Sequence, residues 1–257
     1  MWKLIRVSML LLVLIGVAAM TWLDRVNTTS WKNTLWVGIF PMNGDGSAVA
    51  ERYVQGLEPQ DFASLETFFA KEASRYGVTL TQPVRVELYP PSAERPPALA
   101  PRASLLARTW WSLKVRWFAR QAADVPGRAP SQIRVFVLYH DPAENERVPH
   151  SLGLQKGLVG VVHAYADRRM QGSNNIVIAH EALHTVGATD KYDIETGVPM
   201  YPDGYAEPDR VPRFPQPKAE VMAGQRALSE REQEMPDDLR DVSVGTLTAT
   251  EIGWTRK

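Results

Sequence analysis

The 257 residues contain no cysteine. That excludes a disulfide framework and every thiolate metal site, so a bound metal has only imidazoles and carboxylates to hold it. Net charge is missing too: 29 Lys and Arg balance 29 Asp and Glu. Phosphate backbones recruit proteins through excess positive charge, so this balance argues against a nucleic-acid partner. No internal repeat is visible. What remains is an ordinary globular composition, 44% hydrophobic and 23% charged, on a chain long enough to bury a substantial core.

One stretch lacks charge altogether, and a second lacks acidic residues. Residues 7–23, VSMLLLVLIGVAAMTWL, carry no charge and follow Lys3 and Arg6. Their length is near the short limit of a membrane-spanning helix, roughly 17–25 residues. The run reads either as an uncleaved anchor with Lys3 and Arg6 on the cytoplasmic side, or as a signal peptide cut near Ala19, where Val17 and Ala19 are small. Both readings export the rest of the chain, to a membrane-anchored position on the periplasmic or extracellular side or as a secreted protein. The second stretch is residues 103–123, which carry Arg108, Lys114, Arg116 and Arg120 with three tryptophans and no acid. A basic, Trp-rich helix can lie on a membrane surface. Tryptophan also serves as core bulk, and a packing helix with solvated arginines is the preferred expectation here.

Elsewhere, TLWVGIF (34–40) predicts a strand ending at Pro41, followed by turn chemistry in NGDGS (43–47). Phe62, Leu65, Phe69 and Ala73 recur at helical spacing over 61–76, with Pro59 before them and Gly77 after. VRVELY (84–89), IRVFVLY (133–139) and GLVGVVHAYA (157–166) predict strands, and 90–101 is a proline-rich loop. The segment DRRMQGSNN (167–175) looks like a turn, 193–218 looks irregular, and two short helices are expected near 229–235 and 247–253. The fold expectation is α+β, with strands and helices mixed in one domain over 25–257. Its upper part runs to about 187 and an irregular lower part starts at about 188, with an N-terminal hydrophobic helix in 1–24.

The informative stretch is IAHEALHTVGATDKYD, residues 178–193. Positions four apart share a helix face, so His180 and His184 can aim both imidazoles at one ion about 2.0–2.1 Å away. Glu181 stands beside the pair and can reach a water at the ion as general base. A catalytic zinc takes three protein ligands and keeps a position for water. Gly187 can adopt the left-handed conformation that ends a helix, and the reversed chain brings Asp190 back toward the metal.

This pattern resembles the metzincin zinc peptidases, whose motif is H-E-x-x-H-x-x-G-x-x-H followed by a methionine turn. Here Asp190 stands in the third-ligand place, as in the snapalysin-like variant. A carboxylate there lowers the charge at the metal and makes a bound water less acidic. The resemblance implies a zincin-like mixed sheet and Met222, in AEVMAG (219–224), as an apolar floor below the metal. A tyrosine two residues past that methionine, found in several metzincins, is replaced by Gly224, leaving Tyr192, Tyr201 and Tyr205 as substitutes. The resemblance further implies that the strand before the motif, carrying His163, is an edge lining the cleft and pairing with an extended substrate. His163 by default is a hydrogen-bonded strand histidine, and His140 and His150 read as surface or turn residues.

The expected function is a zinc peptidase acting on a peptide or protein substrate, attached to the membrane through its N-terminal segment. Two alternatives stand beside it. One is a non-catalytic, membrane-tethered assembly protein with a structural metal, for which Asp193, Glu195 or a spare histidine would close the coordination. The other is a zinc amide hydrolase acting on cell-wall peptides. Asp193, Asp203, Glu207 and Asp209 form an acidic group that could take calcium.

Overall fold

The computed structural model describes residues 28–100, 103–122, 131–155 and 157–255, with residues 125 and 128 and isolated positions among the first sixteen. The apolar run 7–23 therefore lies largely outside the described residues. Among the described residues, no helix is long and apolar enough to cross a membrane.

The fold is mixed α and β, centred on a five-stranded sheet. Its strands are β1 (Leu35–Asn43), β2 (Val84–Leu88), β3 (Ile133–His140), β4 (Leu152–Leu154) and β5 (Val159–Tyr165). The spatial order is β2-β1-β3-β5-β4. All neighbours are parallel except β4, which runs antiparallel along the outer side of β5. Contrary to the sequence expectation, the strand carrying His163 is internal; the edge is the short β4, which has no alternating pattern of its own. The strand β1 also runs through Pro41 instead of ending there. Pro41 is tolerated because β2 stops opposite Ile39, and the missing N–H points to that vacated side. The Pro41 carbonyl points the same way and accepts from the Ser92 N–H at 3.2 Å.

Alternation along the strands divides the core between two faces. On one face Val37, Ile39, Val135, Val137, Val162 and Ala164 pack with three helices: α1 (Ala48–Gln55), α2 (Ala63–Arg75) and the helix carrying the motif. On the other, Phe40, Met42, Phe136, Leu138, Val159 and Val161 meet Val115 and Ala119 of α3 (Leu105–Ala122). Each fully buried side chain of this kind is worth about 1.5–3 kcal/mol. The helix α1 starts at Ser47, whose hydroxyl accepts from the Ala50 N–H at 3.0 Å.

The motif helix α4 spans Gln171–Thr185, so residues 171–175 of the stretch read as a turn form its first part, behind a 3-10 turn at Arg168–Met170. Gly, Ser and Asn favour turns in isolation, but here tertiary contacts override that preference. A side chain at Gly172 would collide with the Asp237 carbonyl. Asn174 caps the end of β5, accepting from the Tyr165 N–H (3.1 Å) and donating to its carbonyl (2.9 Å). Asn175 donates to the Asp61 carbonyl and the Ser64 hydroxyl.

Beyond α4 the chain is mostly turns, with short pairings β6 (Ala219–Glu220) to β9 (Val242–Ser243) and β7 (Arg226–Ala227) to β8 (Gln233–Glu234). The expected helix near 229–235 is this second pairing. The Leu228 and Ser229 N–H groups both donate to the Glu232 carbonyl, and Arg226 pairs with Glu234. A last helix, α5, covers Thr246–Glu251. Trp31 and Trp254 meet edge to face at 5.5 Å, and the Trp31 indole N–H donates to the Ile252 carbonyl. One core cluster thus joins residues on both sides of the motif.

Candidate metal centre

The helix α4 ends in a reversal whose hydrogen bonds fix the site. The Gly187 N–H donates to the His184 carbonyl and the Ala188 N–H to the Leu183 carbonyl, both at 3.1 Å. This pairing is the Schellman arrangement, and it needs a left-handed residue at the turn. Gly187 supplies it, with φ at +110°. The chain then runs back beneath the helix, where the Lys191 N–H donates to the Met222 carbonyl at 3.0 Å.

That return brings Asp190 to the two histidines. His180 Nε2 and His184 Nε2 are 3.0 Å apart, and Asp190 Oδ1 lies 3.2 Å from the first and 3.0 Å from the second. The tautomers follow from the far side of each ring. His180 Nδ1 is 3.0 Å from the Val221 carbonyl and His184 Nδ1 is 2.8 Å from the Ala188 carbonyl. A carbonyl only accepts, so both Nδ1 atoms carry the hydrogen and both Nε2 atoms present lone pairs when the rings are neutral. Three electron-rich atoms therefore converge on one point. Asp190 Oδ1 is buried and accepts no hydrogen bond of good geometry.

Such a triangle repels itself unless a positive charge joins it. Burial pulls the His180 imidazole down, yet Asp190, Glu181 and the Val221 carbonyl more than offset this and hold its pKa above the usual value. For Asp190, burial pulls upward and the two imidazoles outweigh it, leaving the carboxyl well below the ordinary range. Both shifts have one cause, the carboxylate and the two imidazoles lying side by side. His180, His184 and Asp190 are, among the described residues, the one group of three such donors that converges closely enough to hold a metal ion. The donor set fits zinc, which accepts imidazole and carboxylate together.

Asp193, Asp203, Glu207 and Asp209, the group expected to take calcium, do not converge in this way. All four are exposed, and Asp193 Oδ1 is occupied within its own turn by the Glu195 and Thr196 N–H groups and the Thr196 hydroxyl. Glu195, a candidate fourth ligand, is also exposed.

Glu181 is buried beside the triangle, with Oε2 lacking any hydrogen-bond partner. Burial pushes its carboxyl up, against the opposing pull of His180 and His184. The edge strand presses close to it: a Cβ at Gly153 would overlap His184 Cβ, lie 2.7 Å from the Glu181 carbonyl and 3.0 Å from Glu181 Oε2. Nothing in the sequence around Gly153 marks this approach.

Met222 is fully buried in the turn whose Val221 carbonyl orients His180. That turn is organised by Glu220, a residue sequence reasoning did not single out. Its carboxylate accepts from the N–H groups of Met222 (2.6 Å), Ala223 (3.0 Å) and Gly245 (3.0 Å) and from the Thr248 hydroxyl (2.8 Å). A second unforeseen carboxylate, Glu251, holds both neighbours of Asp190: Thr189 through its N–H and hydroxyl, and the Lys191 ammonium.

Of the three tyrosines, Tyr192 stands at the centre. Its ring is 6.3 Å from that of His180, and burial together with the Asp190 and Glu181 charges pushes its hydroxyl up to about 12. Tyr205 packs against Tyr201 and Phe214, and Tyr201 lies under Arg213.

His163 is the hydrogen-bonded strand histidine of the default expectation and does not face the cleft, whereas His140 departs from its expected surface role. They lie on the sheet face opposite α4 and meet each other, Nε2 of His140 to Nδ1 of His163, at 2.9 Å. His140 is buried, not a surface residue, whereas His150 is exposed. Compared with known proteins, the chain matches no family model and no curated protein.

Proposed function

We propose that this chain is a metzincin-like zinc peptidase in which His180, His184 and Asp190 hold the metal. The observation that carries the reading is the convergence of two lone-pair nitrogens and a carboxylate oxygen beside a buried, unpartnered Glu181 oxygen. Zinc bound there would polarise a peptide carbonyl and acidify a water. Glu181, whose carboxyl burial pushes up from its ordinary value, takes the proton from the attacking water and passes it to the leaving amine. The hydroxyl of Tyr192 stays protonated and donates toward the oxyanion that develops on the substrate. The unpaired side of β4 offers an extended substrate a strand to pair with, next to Glu181. Met222 forms the apolar floor, and the N-terminal apolar run attaches the enzyme to the membrane or exports it.

The reading is tested with Glu181→Gln. The variant is expected to retain zinc and to lose hydrolysis of a peptide library, with wild-type activity sensitive to chelation. Wild-type rates in Glu181→Gln would remove the mechanism. A substrate confined to cell-wall peptides would appear in the same assay as cleavage of those amides alone.

A further inference from the structure

The helix α3 has two apolar faces, and the sheet covers only one. Val115 and Ala119 are buried against the sheet face opposite α4, with Trp111, Phe118 and Ala122 packed beside them. On the other side Leu106, Trp110, Leu113 and Trp117 are 84%, 62%, 49% and 65% exposed, and the adjoining Leu105 is 82% exposed. Their steps of four, three and four residues place them in one line along the helix, about 100° per residue. The expectation of a purely core-packing helix accounts for the first face and leaves the second unexplained. A line of two tryptophans and two leucines open to solvent, with Leu105 beside it, exceeds the scattered apolar residues of ordinary surfaces.

The charges beside this line have one sign. At the same 100° step Lys114 lies on one flank, and Arg116 and Arg120 on the other. Residues 103–123 contain no acid. Among the described residues, none of Arg108, Lys114, Arg116 and Arg120 is in an ion pair. The Lys114 ammonium lies 5.9 Å above the Trp110 ring, which leaves its charge at the border of the apolar line. Arg134, on the neighbouring strand, adds another cation: burial and then Arg120 pull its pKa down. A second copy of this chain would have to bring cation against cation at this surface. An apolar line with tryptophans, bordered by unpaired cations, matches a bilayer interface with anionic headgroups.

We infer that α3 docks flat on an anionic membrane surface, inserting Leu106, Trp110, Leu113 and Trp117, with Lys114 and Arg120 at the phosphate level. The metal centre is carried by α4 on the opposite face of the sheet, so docking leaves it turned away from the lipid. This inference stands independently of the peptidase reading.

Because the chain has no cysteine, single labels can be placed cleanly. Leu113→Cys in the full-length protein, carrying an environment-sensitive fluorophore, is reconstituted with vesicles of phosphatidylglycerol and phosphatidylcholine, or of phosphatidylcholine alone. Ser74→Cys, exposed on α2 across the sheet, is the control. The label at 113 is expected to shift to the blue and be quenched by a lipid-borne quencher in the anionic vesicles only, with the label at 74 remaining aqueous. Adding Lys114→Glu or Arg120→Glu lowers the docked-to-undocked ratio at least about fivefold, the change that ~1 kcal/mol per basic residue gives. An aqueous label at 113 in both vesicles would overturn the inference. So would equal quenching in the neutral vesicles, or a blue shift that depends on protein concentration and not on lipid, which would mark self-association.

Discussion

Glu251 accepts the Thr189 N–H at 2.9 Å and the Thr189 hydroxyl at 2.7 Å, sixty-two residues apart in sequence. Thr189 precedes Asp190, and Lys191, which follows it, donates to the same carboxylate. Asp190, the third donor of the candidate centre, is thus held on both sides by α5. Groups in this outer position tune affinity by orienting the ligand. Glu251→Ala is expected to weaken metal binding roughly 10–100-fold while far-UV circular dichroism keeps its wild-type form. Unchanged affinity in a competition titration with a chromogenic chelator would show that Asp190 is placed without Glu251.

The reversal at Gly187 makes a second demand. A residue with a Cβ at a φ of +110° is strained, by roughly 1–2 kcal/mol, and its Cβ would lie 3.0 Å from Gln155 Nε2. Gly187→Ala should lower unfolding stability by about that amount and weaken metal binding as well, since Asp190 moves with the turn. Urea denaturation of the metal-free and metal-loaded forms separates the two effects. Equal losses in both would confine the role of Gly187 to the fold.

The pair of histidines on the far face predicts a pH dependence separate from the metal centre. Burial, and then the neighbouring His140, lower the His163 pKa from 6.5 to about 4. The unfolded chain therefore binds the proton first as pH falls, so stability is fully present above about 6.5 and is lost through the interval down to about 4. Thermal melts of the metal-free protein should show this slope, and His163→Gln should flatten it. An equal slope in both proteins would assign it to other groups.

The sequence made the centre of the site legible because His180, Glu181 and His184 are local to one helix, and because Gly187 has a conformational reason to be where it is. Parts that depend on distant chain were hidden. Gly153 matters only because β4 lies against His184 and Glu181. Glu220 and Glu251 look like any acidic residues until their backbone partners are known. The start of α4 was obscured by Gly172, Asn174 and Asn175, turn formers held in a helix by β5 and α2. Residues 229–235 erred in the opposite direction, as helix-forming side chains drawn into the β7–β8 pairing. For α3 the spacing was sufficient to predict a helix, and only the packed sheet showed which of its two apolar faces stayed outside.

The central claim is that His180, His184 and Asp190 together bind one zinc ion, and the direct measurement is metal content after exhaustive dialysis. Wild-type protein is expected to retain one zinc per chain, and Asp190→Ala to lose it, with an affinity reduced beyond the roughly 10–100-fold typical of outer partners. Retention of stoichiometric zinc by Asp190→Ala, or none by the wild type when zinc is supplied, would contradict the account.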